Sequence, residues 1–177
     1  RAGAHTAIQT GHRHSKFGIP IDDGQAEQAV RRCVESPHLE LLGYHAHIGS
    51  QILSVEPFEQ AAAVMADFAV AMNRRYGASC RELDMGGGLG VRYVASDRPP
   101  SIRALVEGMG RVLAQRFAAA GMPPAHLILE PGRSIVGEAG LTLYTVGAIK
   151  TLPGGRRLAA VDGGMSDNPR VALYQAT

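Results

Sequence analysis

The chain has 177 residues, 45% of them hydrophobic and 19% charged, with a formal net charge of +2. That length is enough for one domain with a real core, and the composition is that of an ordinary globular protein. A charge this small, with arginines scattered in no run longer than a pair, gives no reason to expect a nucleic-acid partner. No apolar run reaches about 18 residues, so no membrane span is expected. The chain opens Arg1-Ala2-Gly3-Ala4-His5, without an initiator Met or an apolar stretch behind it, so we expect a fragment or a processed start and no signal peptide. Cys33 and Cys80 are far apart and share no ligand spacing, which suits reduced core thiols in a cytoplasmic protein.

Gln25 to Glu35 is amphipathic, with Ala26, Ala29, Val30 and Cys33 on one stripe; Asp22 or Asp23 can cap this helix and Pro37 stops it. A short apolar run from Leu41 to Ile48 reads as a strand and ends in Gly49-Ser50. Pro57 to Tyr76 reads as a long helix, with Phe58, Ala61, Met65, Phe68, Met72 and Tyr76 on one side and Gly77 closing it. Glu82 to Met85 is a second strand, Ser101 to Ala120 a third helix capped by Ser101 and stopped by Gly121, and His126 to Leu129 a third strand. Lengths and order suit parallel βαβ units, and the unusual residues follow the strands' C-terminal ends, where α/β folds place their sites. After about Glu138 the pattern changes. Leu141 to Leu152 and Arg157 to Val161 read as β, joined by a Pro153-Gly154-Gly155 turn.

Each strand end carries a segment with possible chemistry. Gly86-Gly87-Gly88-Leu89-Gly90 lets backbone N–H groups approach an anion, and it equally suits a plain turn. It is neither a Walker loop, since no Gly-Lys-Ser/Thr follows, nor a convincing dinucleotide fingerprint, since Pro99-Pro100 precede the next helix. Glu130-Pro131-Gly132-Arg133 could serve a bound ring and an anionic group, or could be a surface turn with an ion pair. His45-Ala46-His47 puts two imidazoles on one strand face. A metal there would need ligands from later strands, and His126, the only later histidine, precedes its strand, so no metal is expected. Histidines hydrogen-bonded in the core are the plain alternative. His5, His12 and His14 read as solvated loop residues. Asp162-Gly163-Gly164-Met165-Ser166-Asp167-Asn168 is a polar turn, with Arg170 and Tyr174 spaced by four behind it.

Taken in order, Thr10-Gly11 with Ser15-Lys16-Phe17-Gly18-Ile19, then His45-Ala46-His47-Ile48-Gly49-Ser50-Gln51, Gly86-Gly87-Gly88-Leu89-Gly90, Glu130-Pro131-Gly132-Arg133-Ser134, and Asp162-Gly163-Gly164-Met165 with Arg170 and Tyr174 resemble the diaminopimelate decarboxylases. These belong to the alanine-racemase-fold group of pyridoxal-phosphate enzymes. The resemblance covers essentially the whole chain. It implies pyridoxal 5'-phosphate as cofactor, an amino acid, meso-diaminopimelate, as substrate, L-lysine and CO₂ as products, and a homodimer. It also implies residue roles. His47 stacks on the cofactor ring; Ser50, Gly86, Gly87 and Gly88 contact its phosphate, joined by the backbone along Pro131, Gly132 and Arg133. Glu130 faces the pyridine nitrogen, where racemases of this fold carry an arginine, so it favours decarboxylation. Arg133, Arg170 and Tyr174 hold the substrate's distal carboxylate. Gln51 and Ser134 lean toward the diaminopimelate branch rather than the ornithine and arginine decarboxylases.

Two departures matter. Val171 stands where the family usually has Pro, a local change in turn stiffness. More seriously, the family's cofactor-holding lysine belongs to an early Tyr-x-x-Lys-Ala motif, and the only lysines here, Lys16 and Lys150, lack that context. The late Cys-Glu-Ser and terminal Gly-Ala-Tyr segments are missing as well. The resemblance therefore implies an α/β fold in which residues 1–138 form the last three βα units of an eight-stranded (β/α)8 TIM-type barrel and 139–177 begin a β-rich C-terminal domain. Three units cannot close a barrel, and without the cofactor-holding lysine the piece alone is expected to be inactive. A decarboxylase of another basic amino acid, or a non-catalytic module that binds the cofactor, are the alternatives.

Overall fold

The computed structural model describes residues 16–169 and 173. In chain order the elements are α1 (Gln25–Glu35), β1 (Gly43–His45), α2 (Glu56–Tyr76), β2 (Glu82–Asp84), α3 (Ile102–Ala119), β3 (His126–Ile128), α4 (Arg133–Val136), β4 (Val146–Thr151) and β5 (Arg157–Val161). β1, β2 and β3 form a parallel sheet in that order, with Tyr44, Leu83 and Leu127 in one register row and His45, Asp84 and Ile128 in the next. β4 and β5 form a separate antiparallel pair. The chain is thus α/β with a parallel sheet, followed by a β ribbon. Among the described residues, no helix is long and apolar enough to cross a membrane.

The helices follow from their sequences. Ser101 caps α3 by accepting the Ala104 N–H at 3.1 Å, which satisfies one orphan donor of the first turn. Gly77 ends α2 in the left-handed region at φ 67°, and its N–H closes on the Asn73 carbonyl. α1 differs from expectation at its start. Neither Asp22 nor Asp23 is its N-cap; Gly24 holds that position, and Asp23 instead accepts from both nitrogens of Gln25. On α2 the buried stripe is Phe58, Ala62, Met65, Ala66, Ala69 and Met72. Ala61, Phe68 and Tyr76, expected on it, are only half-buried.

The core lies on one side of the parallel sheet. Leu83, with Tyr44 and Leu127 beside it, packs against Met65, Ala66 and Ala69 of α2 and Leu105, Met109, Leu113 and Phe117 of α3. Alternate residues point the other way, since side chains alternate across a strand. On that opposite face stand Gly43, His45, Glu82, Asp84, His126 and Ile128, all half-buried or exposed. The regular strands are shorter than the apolar runs suggested, but the chain stays zipped beyond them. Ala46 donates to the Asp84 carbonyl, Met85 to Ile128, Glu130 to Gly86, Ile52 to Gly88 and Gly90 to Ile52. These bonds carry the ladder past the strand ends and bind the three terminal loops into one unit. Cys80 is buried in this core and Cys33, on α1, is half-buried, both as free thiols; burial pushes the Cys80 thiol up to about 11.

Candidate active site at the strand ends

The alternation that hides Leu83 also assembles the site. His45, Asp84 and Ile128 share a row on the uncovered face. Two residues farther on, at the same parity, come His47, Gly86 and Glu130. Glu130, just past the edge strand β3, therefore reaches side chains of β2 and, beyond it, of β1. Its Oε2 lies 3.5 Å from His45 Nε2. Ligand atoms of His45, Asp84 and Glu130 all fall within 4.8 Å of one another, a grouping that could hold a cation. Two of the three groups are carboxylates, one from the end of β2 and one from just past β3. Parity was the available signal: each strand puts a polar residue on the same face at its end. His45 and Asp84 were not assigned roles from sequence, and both stand in this site.

His47 is oriented by the glycine loop. The Gly87 N–H donates to His47 Nδ1 at 3.2 Å, which leaves the neutral imidazole's proton on Nε2. Asp84 Oδ1 accepts the Gly86 N–H at 2.9 Å, bracing the start of the loop. Why these positions are glycine is geometric. Gly86 and Gly88 have φ of 64° and 110°, conformations costly for other residues. A Cβ on Gly86 would come 2.8 Å from His47 Nδ1, while one on Gly87 would overlap the Glu130 carbonyl and one on Gly88 the Gly49 carbonyl. The loop is thus wedged between the ends of β1 and β3.

Arg133 opens the single turn α4. Its Nη1 donates to Gln51 Oε1 at 3.3 Å and to Tyr93 Oη at 3.1 Å, and its Cζ sits 5.6 Å from the Tyr93 ring centroid. Ser50 is half-buried next to Gln51. Pro131 and Gly132 are exposed between Glu130 and Arg133. Arg170 and Tyr174, expected to complete a carboxylate clamp, lie outside the described residues, as does Val171. Lys150 is on β4, paired with Leu158; Lys16 precedes α1, its ammonium over the Phe17 ring.

A carboxylate, a fixed imidazole, a glycine loop and an arginine, gathered at the C-terminal ends of parallel strands, form a donor set suited to a pyridine ring carrying a phosphate. The sequence profile described as "Pyridoxal-dependent decarboxylase, pyridoxal binding domain" matches residues 1–137. The chain belongs to the pyridoxal-dependent decarboxylases. Within that family it is 42% identical over 183 residues to the diaminopimelate decarboxylase of Mycobacterium tuberculosis, covering 99% of this chain and 41% of that protein. It is 42% identical over 175 residues to that of Bacillus subtilis, with 99% and 40% covered. Among solved structures, the diaminopimelate decarboxylase of M. jannaschii in complex with L-lysine matches with TM-score 0.87 and 32% identity, covering 96% of this chain and 38% of that one. The chain therefore spans about two fifths of the length of these relatives. Pyridoxal phosphate is the cofactor of the family to which the strand-end site belongs.

Proposed function

We propose that these residues are the central part of a diaminopimelate decarboxylase that converts meso-diaminopimelate to L-lysine and CO₂. The observation that carries this reading is the convergence of Glu130, His47, the glycine loop and Arg133 at three adjacent strand ends. In this reading residues 1–138 are the C-terminal part of a cofactor-binding barrel, its last three βα units, and 139–177 start a β-rich domain. The polar, uncovered face of the sheet supports a barrel interior. The assembled protein is a cytoplasmic homodimer without nucleic-acid or membrane partners.

When bound, pyridoxal phosphate supplies an electron sink for the pair left when CO₂ departs. The chain's own groups do the rest. Glu130 holds a proton at the pyridine nitrogen, and His45, 3.5 Å behind it, holds the carboxylate in place. The His47 ring, fixed by Gly87, would hold the face of the cofactor's ring. Ser50, Gly86, Gly87 and Gly88, with the backbone of Pro131, Gly132 and Arg133, take the phosphate. Arg133, with Arg170 and Tyr174, holds the substrate carboxylate that is not lost. Racemases of this fold would need a different group opposite the ring nitrogen. The attaching lysine comes from elsewhere in the longer polypeptide, since neither Lys16 nor Lys150 belongs to the strand-end cluster.

The test is a substrate assay on the full-length protein. CO₂ release from meso-diaminopimelate, and not from ornithine, arginine or lysine, is expected; release from one of the others would move the reading to that branch. Cofactor binding without any release would favour a non-catalytic module. Glu130→Ala is expected to abolish turnover while the cofactor stays bound, and retained turnover would refute its role.

A further inference from the structure

Gln51 is the one non-glycine residue with positive φ, 58°, among the described residues. A residue held in this region is strained, and the surrounding contacts must hold it there. Here its side chain makes the hydrogen bonds that do so. Nε2 donates to the Val91 carbonyl at 2.6 Å and Oε1 accepts the Val91 N–H at 3.2 Å, so the amide pairs with Val91 as a strand would. The same Oε1 accepts from Arg133 Nη1. Two residues beyond Val91, Tyr93 offers its hydroxyl to that nitrogen and its ring face to the guanidinium. Gln51 thus sets the course of the loop that delivers Tyr93, and both grip Arg133.

The grip is one-sided. Both bonds use Nη1, so the three N–H donors on Nε and Nη2 make no bond among the described residues. That is the edge of the fork that suits a carboxylate. A fixed guanidinium also opposes a substrate whose far end carries only an ammonium, because like charges in a partly desolvated site repel.

We propose that Gln51 and Tyr93 are positioning residues that aim Arg133, and so set the preference for substrates with a distal carboxylate. The inference rests on the reading of Arg133 given under the proposed function. Diaminopimelate carries two carboxylates and loses one, so L-lysine retains the distal one and cadaverine has none. The experiment measures calorimetric affinities of both ligands for the full-length, cofactor-loaded protein and for Gln51→Ala, Tyr93→Leu, Tyr93→Phe and Arg133→Met. Cofactor absorbance checks that each variant is loaded.

Arg133→Met is expected to lose L-lysine affinity and keep cadaverine affinity. Gln51→Ala and Tyr93→Leu are expected to do the same by about tenfold, the order for one mis-aimed charge-assisted hydrogen bond. Tyr93→Phe keeps the ring and is expected to lose less, and it disturbs no backbone contact should Gln51→Ala fail to fold. Equal losses for both ligands, or none, in the Gln51 and Tyr93 variants alongside a selective Arg133→Met loss would overturn the positioning role and leave Arg133 as the clamp. No selective loss in Arg133→Met would remove the clamp and the inference with it.

Discussion

Between Gly43 and Leu129 the chain buries side chains against two long helices, and Leu83, Met109 and Phe117 are at most 2% exposed. Beyond Glu138 it does the opposite: every residue of β4 and β5 is exposed, and Leu141 and Leu143 reach 92% and 89%. Both regions have regular backbone ladders, so hydrogen bonding does not separate them. What separates them is whether a second layer covers the apolar face. The parallel part has α2 and α3 as its cover. The ribbon leaves Val146, Ile149, Leu158 and Val161 exposed among the described residues.

Substitutions can break that contrast, and the largest effect belongs to the core. Phe117→Ala removes a ring enclosed by α2 and the sheet and is expected to cost about 3–5 kcal/mol. Leu158→Ala, on β5, is expected to stay within about 0.5 kcal/mol in this chain. Denaturant unfolding compares them. A loss at Leu158 as large as that at Phe117 would mean that the ribbon's face is covered after all.

Two glycines sharpen the comparison at smaller scale. A side chain on Gly87 overlaps the Glu130 carbonyl, so Gly87→Ala must displace the end of β3 and with it the carboxylate. We expect cofactor affinity of the full-length protein to fall at least about tenfold, as a misplaced charged hydrogen bond implies. Gly154, in the ribbon's turn, has φ 88° and nothing near its Cβ. Gly154→Ala meets only backbone strain, about 1–2 kcal/mol, with cofactor titration unchanged. Equal cofactor losses in the two variants would deny the glycine loop its special place.

How much of this was legible in the sequence depends on the physics behind each feature. α1, α2 and α3 follow from apolar periodicity and end signals such as Ser101 and Gly77, which act locally, so their bounds agree within a residue. The strand order follows from alternation with helices. The strands themselves are shorter than the apolar runs, because those runs continue as zipped loops rather than regular ladder. Glu130, His47 and the glycine loop were visible as motifs. His45 was visible beside His47, but its grouping with Asp84 and Glu130 was not, because that grouping comes from register across three strands, which a linear reading sees only if parity is tracked from one strand to the next. Gln51's grip on Val91 and Arg133 spans up to 82 positions and has no local trace beyond an unremarkable amide.

A small gain in stability would test a flaw on the covered side of the sheet. Tyr44, on β1, meets the Phe68 ring edge-on with centroids 5.3 Å apart, yet its hydroxyl is buried without a hydrogen-bond partner among the described residues. Burial, with the nearby Cys80 and Cys33 thiols, pushes this phenol up to about 12 from 10.0. An unsatisfied buried hydroxyl costs about 1–3 kcal/mol, so Tyr44→Phe, which keeps the ring contact, is expected to stabilise the fold by about 1 kcal/mol in denaturant unfolding near neutral pH. The sign of the pH dependence follows from the raised value. Folding disfavours the phenolate, so the wild-type contribution is fully present below pH 10 and is lost as pH rises toward about 12. The stabilisation by Tyr44→Phe should therefore widen across that interval. A substitution that destabilises, or a gap that narrows with rising pH, would mean that the hydroxyl has a partner in solution and that β1 is covered more completely than its neighbours suggest.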